Sequence, residues 1–150
     1  MRNRPLLARS GSGERHSMPG FDVEFEIPGE ATDGVFAIVE FTLAPHRLIP
    51  PHTHVADDEL SYVLEGDVGY RVGGETFTAT PGTYVQKPRG IPHTFWNPTD
   101  RPVRIMELLL PGSAADSFRG LASPGRIPNI HSDEWVPDLV ARYGLTLIGT

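Results

Sequence analysis

At 150 residues the chain is long enough for one domain with a sizeable core, and the absence of cysteine excludes disulfides, thiolate metal sites and a cysteine nucleophile. A formal charge of −6 and a pI near 5.4 deny it the basic face of a nucleic-acid binder, and no apolar run approaches the roughly 20 residues of a membrane helix. The first residues lack the apolar stretch of a signal peptide, so the expectation is a soluble, cytoplasmic protein with neither nucleic acid nor membrane as partner.

Residues 1–20 carry Arg2, Arg4, Arg9 and Arg15 among Ser and Gly, with Glu14 as the one acid. This reads as a flexible N-terminal arm, and residues 21–150 as a single domain. Residues 21–27 alternate apolar and acidic side chains, the period of a half-buried strand. Residues 34–43 are more continuously apolar and are expected to be a strand buried on both faces. Pro45, Pro50 and Pro51 then break the chain and leave His46 and Arg47 on a bend. Residues 59–65 form the next predicted strand. Residues 68–72 and 75–80 make a hairpin about Gly73-Gly74, where positive φ is available. Residues 83–87, 93–96 and 103–110 complete the strands. Beyond Pro111 the pattern changes: Ser113 is placed to cap a short helix through Phe118 and Leu121. A second helix is expected over 137–143, with Pro137 in its first turn and Gly144 ending it, after which 145–148 return along the barrel. Short strands separated by Gly, Pro, Asn and Asp turns indicate a sandwich or barrel.

The chemistry gathers between His52 and Asn97. His52 and His54, at i and i+2, are expected to share one face of an extended strand. Glu59 and His93 add a carboxylate and a third imidazole, a donor set suited to a borderline transition metal. His16 and His131 lie outside this stretch and read as surface residues.

These residues resemble the two motifs of the cupin superfamily. His52, His54, Glu59 and Gly66 fit the first motif, and Gly82, Pro88, Gly90, His93 and Asn97 fit the second. The first motif departs at its start, where the family usually has glycine and this chain has His46. The chain resembles small single-domain cupins of the quercetin-dioxygenase-like group. The resemblance implies an all-β fold, a cupin jelly-roll β-barrel (double-stranded β-helix) with short C-terminal helices. It also implies a metal inside, held by His52, His54, Glu59 and His93. Asp57 and Asp58 stand beside Glu59, but only Glu59 keeps the motif's interval to Gly66. Gly90 is expected to permit a close approach of the loop that delivers His93. Ligation by neutral imidazoles and an ionised carboxylate implies metal binding that weakens below about pH 6.

A three-histidine, one-carboxylate site leaves positions open on the ion, which is the arrangement of a catalytic centre. One divalent transition metal (Fe, Mn, Ni, Co or Zn) is expected. Counting alternation from His93 and Glu59 turns Phe95, Ser61 and Val63 inward; Tyr84 and Gln86 share a face and would touch substrate if that face turned in. The apolar walls suit an aromatic small molecule. Leu60, Tyr62 and Leu64 point outward and need a cover, from an N-terminal strand or a second subunit, so a homodimer is expected. The first functional expectation is a metal-dependent dioxygenase-like oxidoreductase on an aromatic or enolisable substrate, with Glu59 moving a proton. The others are a metal-assisted cyclase or isomerase of a polyketide-type pathway, and a non-catalytic small-molecule-binding cupin.

Overall fold

Alternation of burial along the strands sorts this chain into two facing sheets. The structure, a computed structural model, describes residues 5–119 and 132–150. In chain order the strands are β1 (Glu14–Met18), β2 (Phe21–Ile27), β3 (Ala37–Leu43), β4 (Arg47–Leu48), β5 (Asp58–Glu65), β6 (Val68–Val72), β7 (Glu75–Ala79), β8 (Tyr84–Lys87), β9 (His93–Trp96), β10 (Val103–Leu110) and β11 (Thr146–Leu147). Helices α1 (Asp116–Arg119) and α2 (Ser132–Tyr143) lie between the last two strands. The first sheet runs β1-β2-β3-β10-β5-β8 and the second β11-β4-β9-β6-β7.

Inward residues from both sheets interleave: Val23, Val39, Phe41, Val63 and Ile105 from the first meet Val68, Tyr70 and Phe95 from the second. Burying these side chains stabilises by about 1.5–3 kcal/mol each, against the entropy of ordering them. This is the jelly-roll sandwich that strand spacing and motifs imply. A second cluster forms outside, where Trp135, Leu139 and Leu145 pack on Leu48 and Trp96.

The structure departs from the sequence reading at four elements. The stretch taken as an arm is partly ordered: Glu14–Met18 pairs antiparallel with β2, and the Gly11 and Gly13 amides donate to Glu26. The strand expected over 34–43 is shorter, and its burial alternates, with Ile38, Glu40 and Thr42 only half-buried. Ser113 caps nothing; a 3-10 turn, Gly112–Ala115, begins after Pro111 without a side-chain cap and leads into α1. Leu121 and His131 lie outside the described residues. Helix α2 already starts at Ser132, so Pro137 sits inside it. The proline removes one helical hydrogen bond, but starting earlier buries Trp135 against the sheet.

Candidate metal centre

His52 and His54 belong to no regular strand, contrary to the expectation, yet the backbone fixes both. His52 exchanges two hydrogen bonds with His93 (N to O 3.0 Å and 2.9 Å), and the Gly90 amide donates to the His54 carbonyl at 2.7 Å. Gly90 has φ +77° and open space around a would-be Cβ, so its role is the left-handed turn and not the close approach expected of it. Glu59 comes from β5 and His93 from β9, one from each sheet. The three imidazole ring centroids lie 4.5–5.4 Å apart. One ligand atom from each of His52, His54, Glu59 and His93 can be chosen so that all four fall within 4.8 Å of one another.

Two of the rings are oriented by a hydrogen bond at Nδ1. His52 Nδ1 donates to the Pro50 carbonyl at 2.8 Å, and His93 Nδ1 to the Ile91 carbonyl at 3.1 Å. A carbonyl only accepts, so the proton sits on Nδ1 and Nε2 keeps its lone pair. His54 Nδ1 lies 3.4 Å from Asp57 Oδ2. Oxygen partners on Nδ1 are the usual way a protein aims ligating imidazoles. The complementary atoms are left wanting: His54 Nε2, His93 Nε2 and Glu59 Oε1 are buried with no hydrogen-bond partner. Three such atoms facing one another would be costly in a finished polar core. A divalent cation would satisfy all three, so the residues fit the metal that the motif resemblance implies.

Burial and neighbouring charge keep His52, His93 and Glu59 in ligating form. Burial, then the neighbouring His93, pushes the His52 imidazole down to about 3, so it stays neutral. Burial likewise lowers His93, against the pull of Glu59. Burial alone would raise Glu59, but Lys87, His54 and His93 outweigh it and hold the carboxyl well below its ordinary range. For His54 the nearby Glu59 carboxylate overcomes burial and raises it. The two neighbouring acids are otherwise engaged: Asp58 forms an ion pair with Arg89 at 2.8 Å, and Asp57 faces His54.

The substrate residues expected from alternation divide. Ser61, Val63 and Phe95 are buried inside the sandwich, as expected. Ser61 donates to Glu107, and Phe95 stacks on Phe41 at 5.8 Å, so both are already engaged. The condition set for Tyr84 and Gln86 fails: both are exposed, and Val85 and Lys87 take the inner face of β8. Tyr84 and Gln86 instead line an open cleft of about 480 Å³ together with Val72, Phe77, Val85 and Ile91. Two residues beside the centre escaped the sequence reading, Lys87 and Glu107. The available signal was their chemistry: the one lysine of the chain, and the one acid in an apolar strand at the phase of Val103, Ile105 and Leu109.

With this geometry in hand, the kinship is clear. The cupin-domain family model matches residues 39–109. Quercetin 2,3-dioxygenase of Bacillus subtilis (strain 168) is 28% identical over 120 residues, which cover 80% of this chain and 35% of that protein. Germin-like protein subfamily 2 member 2 of Arabidopsis thaliana is 32% identical over 134 residues, 84% of this chain and 59% of that protein. The chain thus spans between about a third and three-fifths of these relatives' lengths. Among solved structures, the polyketide cyclase RemF from Streptomyces resistomycificus superposes with a TM-score of 0.62 at 24% identity, covering 71% of this chain and 80% of that one; this likeness is one of fold. Motifs, sheet order and family match agree: the chain belongs to the cupin superfamily.

Proposed function

We propose that this chain is a metal-dependent cupin enzyme, a dioxygenase-like oxidoreductase whose substrate is an aromatic or enolisable small molecule. His52, His54, Glu59 and His93 would hold one divalent transition ion, Fe, Mn, Ni, Co or Zn. The observation that carries the reading is the set of inward-facing, partnerless Nε2 and Oε1 atoms. When bound, the ion supplies Lewis acidity toward a substrate oxygen. The chain's own residues do the rest. Val63, Val85 and Phe95 line the interior with apolar surface that keeps water away. Glu59, when the ion does not engage it fully, would take a proton from a substrate hydroxyl and return it. Tyr84 and Gln86 enter this reading only as walls of the open cleft, whose size suits a small aromatic molecule. The similarity to a quercetin dioxygenase supports the oxidative chemistry.

The test loads the purified protein separately with Fe(II), Mn(II) and Ni(II) and follows oxygen uptake with flavonols and other enolisable phenols. Uptake by at least one form is expected. No uptake by any form, or turnover that continues without oxygen, replaces the oxygenase by cyclisation or isomerisation, or by binding alone. The ligand assignment is tested apart from activity: His52→Ala and His93→Ala should each lose most bound metal by elemental analysis while the β-sheet circular dichroism persists. Unchanged metal content in both variants refutes these ligands.

A further inference from the structure

Behind the candidate ligands lies a buried ion pair that is not among the motif anchors. Lys87 on β8 and Glu107 on β10 are 1% and 0% exposed. Lys87 Nζ donates to Glu107 Oε1 at 2.7 Å, and it lies 3.1 Å from Glu59 Oε2. It also stands 5.4 Å over the Phe95 ring, while Ser61 Oγ donates to the same Glu107 oxygen. Strand register builds this row, since Glu59 is opposite Lys87 and Ser61 is opposite Glu107. Held between these partners, the ammonium cannot follow Glu59 if that carboxylate turns.

The two oxygens of Glu59 are consequently unequal. Oε2 faces Lys87, with His93 Nε2 at 3.3 Å. Oε1 lies 3.1 Å from His54 Nε2 and has no hydrogen-bond partner. We propose that Lys87, braced by Glu107, is a positioning residue that reserves Glu59 Oε2, so that the carboxylate offers an ion the single oxygen Oε1. This rests on the metal reading given above. A carboxylate binds a divalent ion through one oxygen or through both. Binding through one leaves a further position clear for a substrate oxygen, and a cation set behind the other enforces that choice. Mere stability is a weak reason for such a pair, because apolar residues of similar volume often serve a core as well or better.

The test uses cobalt(II) as probe and the double variant Lys87→Met/Glu107→Gln. Removing Lys87 alone would leave Glu107 buried without its cation; the double change removes both charges and keeps the site's formal charge at that of Glu59. Equilibrium dialysis measures cobalt per chain, and infrared difference spectra (loaded minus metal-free) and visible absorption report how the carboxylate binds. Wild type and double variant should each hold one cobalt. In the variant the splitting of the carboxylate stretches should narrow, and the cobalt bands should weaken, as Oε2 joins the ion. Unchanged spectra with cobalt bound overturn the inference. So does loss of cobalt from a variant that circular dichroism shows folded, because Lys87 would then hold the site up without reserving an oxygen. Should the double variant not fold, Lys87→Leu/Glu107→Gln, which likewise leaves no donor at position 87, is read the same way. A wild type that binds no cobalt overturns the metal reading itself, before any variant is compared.

Discussion

His46 occupies the place where other cupins usually carry glycine, and its backbone explains the difference. Its φ is +57°, in the left-handed region, and its Nε2 lies 2.7 Å from Asp100 Oδ1. Histidine tolerates that region better than branched residues do. His46→Gly should therefore stay within about 1 kcal/mol of wild type, whereas His46→Val should lose about 1–2 kcal/mol in urea denaturation. Equal midpoints for the two variants would remove the backbone explanation. His52 gives a pH signature of the metal-free protein. Its folded value is about 3 against 6.5 in the unfolded chain. Between those values the unfolded chain binds a proton that the folded chain refuses. Stability from this residue is complete above 6.5 and is lost as pH falls toward 3, by up to ~1.4 kcal/mol per pH unit. His52→Gln lacks this loss, so the difference in urea midpoint should move in the variant's favour as pH is lowered through that window. A constant difference would refute the shift.

At the scale of elements, β8 and β10 carry the least conventional chemistry. Each strand alternates, but each places a charged residue at an inward position, Lys87 beside Val85 and Glu107 between Ile105 and Leu109. The pair resolves what would otherwise be two isolated buried charges. Burial works to lower Lys87, but Glu107 and Glu59 together raise it above its ordinary value, so it stays charged. Lys87→Met leaves two buried carboxylates facing each other's field and should cost about 3–5 kcal/mol. The double variant Lys87→Met/Glu107→Gln should recover a good part of that loss. Urea midpoints of the two variants decide it; a double variant less stable than Lys87→Met would mean that the charges do not act as a pair. Helix α2 illustrates the same competition between local rule and packing, since burial of Trp135 extends it through Pro137.

For the whole molecule, the outer face of the first sheet is the feature that a lone chain leaves unexplained. Leu60, Tyr62 and Leu64 on β5 are half-buried, and beside them Tyr84 and Leu110 are 68% and 39% exposed. Strand β1 offers no cover, because it extends the same sheet at its far edge. Ser10, preceding it, reaches Glu40 and Arg104. A second copy on this face is the arrangement we propose. Light scattering at micromolar concentration should then give twice the 16.4 kDa chain mass, and Tyr62→Glu should halve it with the fold intact. A wild-type monomer would dismiss the dimer.

Much of this molecule was legible along the chain. Motif intervals brought out His52, His54, Glu59 and His93, and alternation with Gly and Pro turns brought out the strands and the jelly roll, because these signals are local and repeat with the geometry of one strand. Alternation also tells which residues share a face, but not which way that face turns. Only the packed sheets decided that Val85 and Lys87 of β8 face in while Tyr84 and Gln86 face out. The packed sheets likewise paired Lys87 with Glu107 across the register of three strands, and added β1 to an edge that the polar, Arg-rich arm gave no reason to expect. Partners of this kind are chosen by burial and register between distant segments, and no short window of sequence contains either.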